Sequence, residues 1–287
     1  MKLTNPSELK NIIGKHGFTF SKSLGQNFLI DENVLNAIAD GSGVTKESGA
    51  LEIGPGAGVL TRCLSERAKK VVAVEIDKSL MPVLSDTLSE YDNAFVINED
   101  IMKCDLKALF SEYFDGMDVH VVANLPYYIT TPVIMMLLES GVRISSITVM
   151  VQKEVAIRMA AEPGGKDYGA LSVAVQYYSD TKIITKAEPS CFIPQPKVAS
   201  SVIKMDIKEE PKVKTLNTEF YFKVVKSAFG QRRKTLVNAL SNSPYLNLSK
   251  EMIIDSVKKS GFSETIRGEK LSIYDFAKLA DNLYQNI

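Results

Sequence analysis

The chain has 287 residues, of which 45% are hydrophobic and 24% charged, and its 34 basic residues balance 34 acidic ones. This composition is typical of a soluble globular protein of one or two domains, and no apolar run is long enough to span a bilayer, so the sequence predicts a cytoplasmic protein. The three cysteines, Cys63, Cys104 and Cys191, lie far apart and the only histidines are His16 and His120, which argues against a disulfide framework or a metal site.

Short β-like runs alternate with helical patterns through the first two-thirds of the chain. The predicted strands are Ala50–Ile53, Val71–Ile76, Ala94–Asn98, Asp118–Ala123 and Ser146–Val151. The predicted helices between them are Val59–Ala68, Lys78–Glu90, Asp105–Tyr113 and Thr130–Ser140. Alternating strands and helices predict a parallel sheet with helices on both faces.

The pattern changes after residue 151. Two further strand-like runs, Lys182–Lys186 and Ser201–Ile207, lack a clear helix between them and could close the sheet with an antiparallel edge. Residues 171–178, LSVAVQYY, fit a strand or a helix equally well. The polar stretch 208–215 indicates a linker, and helical patterns follow it, with a capping box predicted at Ser272 and Asp275. We therefore expect a domain of residues 1–209 followed by a helical domain of residues 210–287.

The first chemical motif is LEIGPGAGVLT at residues 51–61, a strand that enters a glycine-rich turn before a helix. Glycines at 54 and 56 permit backbone conformations that let a ligand approach the main chain. The spacing Gly54, Gly56, Gly58 departs from the G-x-G-x-x-G fingerprint of dinucleotide-binding proteins. By itself, the motif is as consistent with a plain tight turn as with a binding site.

Two acidic residues at later strand ends favour a nucleoside pocket. Glu75 ends the strand VVAVEI, where an acid in a doubly wound sheet can hold both hydroxyls of a ribose. Asp77 competes for that role but lies beyond the strand. Asp100 follows the strand AFVIN and could accept from an adenine amino group, with Ile101 against the ring; alone, Asp100 would more simply cap the next helix. A nucleoside pocket without a pyrophosphate clamp suits S-adenosylmethionine better than NAD.

The run VVANLPYYITTP, residues 121–132, places Asn124 at the end of the next strand. With NLPY, the chain resembles the ribosomal RNA adenine N6-dimethyltransferases, and among them most closely the small-subunit (16S) enzymes. The resemblance extends from about Phe20 to Leu283 and is carried by the segments LEIGPGAG, FSKSLGQNFLID, VQKEVAIRM, YGALSV, FIPQPKVASSV and FGQRRKTLVNAL.

The resemblance implies a Rossmann-like, S-adenosylmethionine-dependent methyltransferase sheet of seven strands, the last antiparallel, with a smaller C-terminal helical domain. It also implies that 171–178 is helical. Family cofactor contacts map onto positions that keep the expected residue types: Asn27, Leu29, Gly54, Glu75, Asp100 and Asn124. The implied enzyme is a monomer without a metal. It dimethylates N6 of two adjacent adenosines near the 3′ end of 16S rRNA and releases S-adenosylhomocysteine.

Physical chemistry gives the NLPY residues distinct roles in that reaction. Adenine N6 is a poor nucleophile, so the enzyme must align it and stabilise the positive charge that it gains. We expect the Asn124 side-chain oxygen and the Leu125 carbonyl, braced by Pro126, to accept from the two N6–H bonds. Tyr127 would stack on the target ring. Phe192 would cover the other face or simply belong to the core.

A basic segment at residues 220–237 predicts the RNA contacts, since it contains five cations and no acid. These cations are Lys223, Lys226, Arg232, Arg233 and Lys234. Lys22, which precedes the implied cofactor contacts Asn27 and Leu29, is a sixth candidate. The cations could equally form the solvated face of helices whose apolar side is buried. Three alternative functions stay open: methylation of 23S rRNA adenine, a non-catalytic role in small-subunit assembly, and an NAD-linked oxidoreductase, which the glycine spacing disfavours.

Overall fold

The computed structural model describes residues 2–21 and 24–287. They divide into two compact units. The first contains the chain up to Ala156 together with Thr181–Ile207, and the second contains Ile157–Asp180 and Lys208–Ile287.

Nine strands are present in the described residues: β1 Phe28–Leu29, β2 Gly49–Ile53, β3 Lys70–Glu75, β4 Ala94–Asn98, β5 Val119–Asn124, β6 Ser146–Gln152, β7 Ser179–Ala187, β8 Phe192–Ile193 and β9 Ser200–Ile207. Seven of them form one sheet in the order β4-β3-β2-β5-β6-β9-β7, and β1 pairs with β8. The five strands from β4 to β6 are parallel, whereas β9 runs antiparallel to β6. The predicted α/β sheet of seven strands with an antiparallel portion is therefore confirmed.

Register brings three motifs to one edge of this sheet. Ile53 at the end of β2 pairs with Val74 on one side and Ala123 on the other. The residues that follow these three are Gly54, Glu75 and Asn124, so they leave the sheet at the same level. β2 is buried along its whole length, as expected for a central parallel strand covered on both faces.

Six helices surround the sheet in the first unit: α1 Pro6–Lys15, α2 Glu32–Ser42, α3 Val59–Ser65, α4 Met81–Thr87, α5 Leu106–Tyr113 and α6 Thr130–Glu139. Of these, α1 and α2 are not among the predicted helices. The predicted helix at 78–90 is instead a 3-10 turn, Lys78–Leu80, followed by α4, which has proline in its first turn. Proline is favoured there because its missing N–H would have no partner within the helix.

The second unit contains the helices α8 Ala170–Tyr178, α9 Thr218–Gly230, α10 Leu236–Ser241, α11 Lys250–Lys259 and α12 Ile273–Tyr284, while α7, Lys153–Met159, lies at the division. The ambiguous run 171–178 is helical, as the family resemblance implied. The predicted capping box is also present, because the Ser272 N–H donates to the Asp275 carboxylate and the Asp275 N–H donates to the Ser272 hydroxyl.

The division differs from the predicted boundary after residue 209 in two respects. The last change of unit lies after Ile207, and residues 157–180 group with the C-terminal helices. The reason is burial: Tyr168 and Tyr177 belong to the same hydrophobic core as Tyr221 and Phe276. The rings of Tyr177 and Tyr221 lie 5.2 Å apart. Within the described residues, no helix combines the length and apolarity needed to cross a membrane.

Candidate active site

A pocket opens at the carboxyl edge of the parallel strands in the first unit. Its walls come from the loop before β1, the turn after β2, the ends of β3 and β5 and the segment after β4, with a further contribution from Phe192. All predicted cofactor and catalytic residues line it: Asn27, Leu29, Gly54, Glu75, Asp100, Ile101, Asn124, Leu125, Pro126, Tyr127 and Phe192. The fold thus gathers at one place residues that are up to 165 positions apart in the sequence (27 to 192).

The glycine turn forms the floor of the pocket. Gly54 and Gly56 have φ angles of 70° and 59°, in the left-handed region that side chains other than glycine rarely adopt. A Cβ at Gly54 would meet no atom within 4 Å, whereas one at Gly56 would lie 2.8 Å from the Phe28 ring. Gly54 therefore leaves its backbone open to a ligand, and Gly56 makes room for β1 to close over the turn.

Glu75 is a buried, hydrogen-bonded acid of the pocket. Its side chain is 4% exposed, and its two oxygens accept from the N–H groups of Gly56 at 3.1 Å and Asp77 at 2.8 Å. Burial raises the pKa of Glu75, although these hydrogen bonds oppose the rise. Each carboxylate oxygen keeps a lone pair for a ligand hydroxyl.

Asp100 lies on the pocket wall but does not cap the next helix. Its Oδ1 accepts from the Met102 N–H at 3.0 Å in a local turn, and α5 is instead capped by Asp105. Ile101 is buried beside it, and Ile76, 51% exposed, lines the same pocket. Ile76 is not among the predicted site residues, although an apolar residue directly after the strand-end acid Glu75 is a usable signal.

At the other end of the pocket, the Asn124 side chain is oriented by the loop before β1. Its Nδ2 donates to the main-chain oxygen of Asn27 at 3.1 Å. Since only the NH₂ side of an amide can meet a carbonyl, the Asn124 Oδ1 is left as an acceptor on the opposite side.

Leu125, Pro126 and Tyr127 are each held in place by hydrogen bonds to a different part of the fold. Leu125 is 1% exposed and its N–H donates to Met150 of β6, while no hydrogen bond between described residues ends on its carbonyl. The Pro126 carbonyl accepts from the Ile129 N–H and the Thr130 hydroxyl, which fixes the turn into α6. The Tyr127 hydroxyl lies 3.0 Å from the hydroxyl of Ser200, a buried residue of β9.

Phe192 pairs with Leu29 in the small sheet of β1 and β8. Its side chain is 2% exposed and belongs to the main hydrophobic core of the first unit, in agreement with the core-packing alternative. Because it also lines the pocket, it forms part of the wall rather than an exposed stacking surface.

Glu52 is a pocket residue that is not among the predicted site residues. It lies within β2, is 1% exposed, and its Oε2 has no hydrogen-bond partner. Burial raises the pKa of Glu52 to about 8, and the nearby Glu75 charge acts in the same direction. Across residues 2–21 and 24–287, no three His, Cys, Asp or Glu side chains converge in a way that could hold a metal ion.

The predicted RNA-binding cations differ in how far they are already engaged. Arg232 donates to the carbonyls of Lys166 and Tyr168 at 2.7 and 3.0 Å and lies 3.6 Å from Glu269. The other two members of this basic run, Arg233 and Lys234, are exposed and form no ion pair within the described residues.

Two further cations of α9 also have partners. Lys223 pairs with Glu219 at 2.7 Å, and the Lys226 ammonium lies 4.1 Å from the centre of the Tyr245 ring. Both pairs are on the surface and are therefore weak enough for a phosphate to displace. Lys22 lies outside the described residues.

Comparisons with known proteins agree with the resemblance. The sequence model of the family described as ribosomal RNA adenine dimethylase matches residues 17–281. The ribosomal RNA small subunit methyltransferase A of Alkaliphilus oremlandii is 52% identical over 286 residues, which cover 100% of this chain and 99% of the relative. The protein of the same name from Bacillus licheniformis is 50% identical over 98% of this chain and 97% of its own length.

Two solved structures share the fold. A dimethyladenosine transferase from Plasmodium falciparum has a TM-score of 0.75 and 26% identity, covering 88% of this chain and 95% of its own. The 23S rRNA methyltransferase ErmE has a TM-score of 0.68 at 24% identity, covering 90% and 100%. The family match spans nearly the whole sequence, including the glycine turn, Glu75 and the NLPY residues at the pocket. The chain belongs to the ribosomal RNA adenine dimethylase family.

Proposed function

We propose that this chain uses S-adenosylmethionine to dimethylate N6 of two adjacent adenosines near the 3′ end of 16S rRNA, as a step in small-subunit biogenesis in the cytoplasm. The observation that carries the proposal is the arrangement of the pocket. An acid suited to a ribose, Glu75, is at one end, and two hydrogen-bond acceptors, on Asn124 and Leu125, are at the other.

The residues present fit S-adenosylmethionine. Glu75 keeps free lone pairs on both oxygens for the ribose hydroxyls, and Asp100 with Ile101 and Ile76 offers a polar edge and apolar faces for an adenine. The open space beside Gly54 leaves room for the amino acid part. When bound, the cofactor supplies a methyl group on a positively charged sulfur.

The two acceptors, on Asn124 and Leu125, would make adenine N6 more reactive by fixing the orientation of its amino group. With one N6–H directed at the Asn124 Oδ1 and the other at the Leu125 carbonyl, the N–H bonds are drawn out of the ring plane, so N6 becomes pyramidal and its lone pair is no longer delocalised into the ring. Both oxygens carry partial negative charge and stabilise the positive charge that develops on N6. Neither is a strong base, so the proton passes to solvent water only after methyl transfer, when the N6 cation has become acidic.

Tyr127 is suited to stack on the flipped-out adenine, because its ring is held at one end by the hydrogen bond to Ser200. Stacking of this kind contributes about 1–3 kcal/mol per base and offsets part of the cost of unstacking the target. Phe192 supports the pocket wall from the core, and Pro126 fixes the backbone that presents the Leu125 carbonyl.

Residues 1–209 would serve as the cofactor-binding catalytic domain and residues 210–287 as an rRNA-binding domain of a monomeric enzyme. In the second region Arg233 and Lys234 are the strongest candidates for phosphate contact, because both are exposed and unpaired among the described residues. Lys223 and Lys226 are further candidates, and Arg232 would act mainly through its internal hydrogen bonds. Lys22 remains a candidate from the sequence.

The alternative target, 23S rRNA, is disfavoured by the full-length relatives at 50–52% identity that carry the small-subunit name. The fold does not separate the two targets, since a 23S rRNA methyltransferase shares it. A purely non-catalytic assembly role is disfavoured because Glu75, Asp100 and the NLPY residues are all placed in one pocket.

The test is to treat unmethylated small subunits and naked 23S rRNA with the protein and S-adenosylmethionine, and to map modified bases by mass spectrometry. We expect two adjacent N6,N6-dimethyladenosines in 16S rRNA. Modification of the 23S RNA alone would reject the proposed target, and the absence of any methylated base would favour the assembly role.

A further inference from the structure

Gln26 fastens the loop before β1 to the adenosine side of the pocket. Its side-chain oxygen accepts from the Ser21 N–H at 2.7 Å, and its Nε2 donates to the Asp77 Oδ2 at 2.6 Å. The N–H of Asp77 in turn donates to the Glu75 carboxylate at 2.8 Å. The chain of contacts therefore runs from the loop to the acid proposed to hold the ribose.

The neighbouring residue fastens the same loop to the opposite side. The Asn27 main-chain oxygen accepts from Asn124, and a Cβ built on Gly25 would lie 3.6 Å from Pro126. Residues 25–27 thus reach the ends of both β3 and β5 across the pocket that they line. A loop with attachments on both sides of a pocket can open only if one attachment breaks.

Both carboxylate oxygens of Asp77 accept hydrogen bonds from neighbouring residues. Its Oδ1 accepts from the N–H and the hydroxyl of Ser79 at 3.0 and 2.6 Å, and its Oδ2 accepts from Gln26. Glu75, by contrast, has only main-chain donors and keeps a lone pair on each oxygen. Glu75 also lines the pocket and Asp77 does not, so Glu75 is the better placed of the two for a ribose, an alternative that the sequence left open.

We propose that Gln26 is a positioning residue whose bridge to Asp77 holds the loop closed over bound S-adenosylmethionine and keeps Asn27 in place to orient Asn124. This inference rests on the proposed function for the identity of the ligand. Gln26 itself need not touch the reacting atoms: it fixes the loop, and the loop fixes the amide that accepts from adenine N6.

The two side chains allow a swap of hydrogen-bond polarity. In Gln26→Glu the oxygen that accepts from Ser21 is retained, but a second oxygen faces Asp77, and two carboxylates then repel one another. In Asp77→Asn the oxygen that accepts from Ser79 is retained, but an NH₂ group faces the NH₂ of Gln26. Combining both substitutions restores one donor and one acceptor and the original net charge.

The measurements are the calorimetric Kd for S-adenosylhomocysteine and hydrogen exchange of the amides of residues 24–29 without ligand. We expect each single variant to bind about tenfold more weakly, the size of one charge-assisted hydrogen bond. Loop amides should exchange faster in both, and the double variant should return to within about threefold of the parent affinity. Gln26→Glu and Asp77→Asn change the charge beside the pocket in opposite directions, so a simple charge effect on the ligand would move the two affinities in opposite directions, whereas the bridge predicts that both weaken.

Equal affinity and equal exchange in all four proteins would overturn the role of Gln26, as would a double variant weaker than either single one. Ligand binding by the parent protein tests the proposed function separately. If the parent protein bound neither S-adenosylmethionine nor S-adenosylhomocysteine, the proposed reaction would fail, while the exchange rates without ligand would still report whether the bridge holds the loop.

Discussion

The Asn124 Nδ2 lies 3.1 Å from the main-chain oxygen of Asn27, although the two residues are 97 positions apart in the sequence. The NH₂ group of the Asn124 amide is thereby bound to the loop before β1, and its Oδ1 is left to accept from a substrate. The contact links cofactor binding to the orientation of the group that we propose to align adenine N6.

Replacing Asn124 with alanine removes the proposed acceptor but none of the groups assigned to the ribose and adenine. We expect kcat to fall by about 100-fold or more, as for the loss of one preorganised transition-state hydrogen bond, while the Kd for S-adenosylhomocysteine rises by only about tenfold, because the loop before β1 loses its bond to the Asn124 side chain. Asn124→Asp is the informative companion, because its carboxylate keeps an acceptor but, like alanine, cannot donate to the Asn27 oxygen. A normal rate for the alanine variant would refute the acceptor role.

Glu75 offers a test at the other end of the pocket. Since its two oxygens accept from the N–H groups of Gly56 and Asp77, an amide in Glu75→Gln would direct its own NH₂ at one of these donors. We expect the Kd for S-adenosylhomocysteine to rise by at least about tenfold in Glu75→Gln and further in Glu75→Ala. Thermal unfolding without ligand serves as the control for correct folding. Unchanged calorimetric affinity would place the ribose elsewhere.

Substitutions of Tyr127 can distinguish stacking of its ring on the target base from the hydrogen bond that anchors the ring to Ser200. Tyr127→Phe keeps the ring and removes only the hydroxyl that meets Ser200, so we expect a loss of a few-fold in kcat/KM for RNA, matched by Ser200→Ala. Tyr127→Ala removes the ring and should cost about 10- to 100-fold, equivalent to about 1–3 kcal/mol of base stacking. Steady-state kinetics on small subunits distinguish the three variants. If Tyr127→Ala and Tyr127→Phe behaved alike, the ring would have no stacking role.

The sequence predicted the positions of Glu75 and Asn124 because the carboxyl ends of neighbouring parallel strands meet at one edge of a sheet. It did not predict the bridges from Gln26 to Asp77 or from Asn124 to Asn27, since these depend on contacts across 51 and 97 residues. Glu52 is different. Its strand β2 is buried on both faces, and a charged residue in such a strand is rare enough to have marked it as a pocket residue.

The basic run of the C-terminal unit predicts two different phenotypes for neighbouring residues. Arg232→Ala breaks hydrogen bonds to two main-chain carbonyls, so we expect a loss of about 1–3 kcal/mol in the free energy of unfolding. The pair Arg233→Ala and Lys234→Ala should leave that stability unchanged but weaken RNA binding. It should also flatten the salt dependence of RNA binding by about one in log–log slope for each phosphate that the variant no longer neutralises.

Urea unfolding and RNA binding at several salt concentrations measure these two effects independently. Lys250→Ala, an exposed cation of α11 outside this run, is the matched control and should change neither quantity. An unchanged salt slope in the Arg233 and Lys234 variant would move the RNA-binding surface to another part of the protein.

The buried acid of β2 predicts a dependence of stability on pH. Because burial raises the pKa of Glu52 from 4.5 to about 8, the folded protein holds a proton that the unfolded chain releases in this range. The stabilising contribution is complete below about pH 4.5 and is lost as pH rises to about 8. Glu52→Gln cannot ionise, so its stability relative to the parent should improve between pH 5 and pH 9, by at most about 5 kcal/mol. Chemical denaturation of both proteins across this range measures the difference, and a constant offset between them would show that Glu52 is already ionised in the folded state.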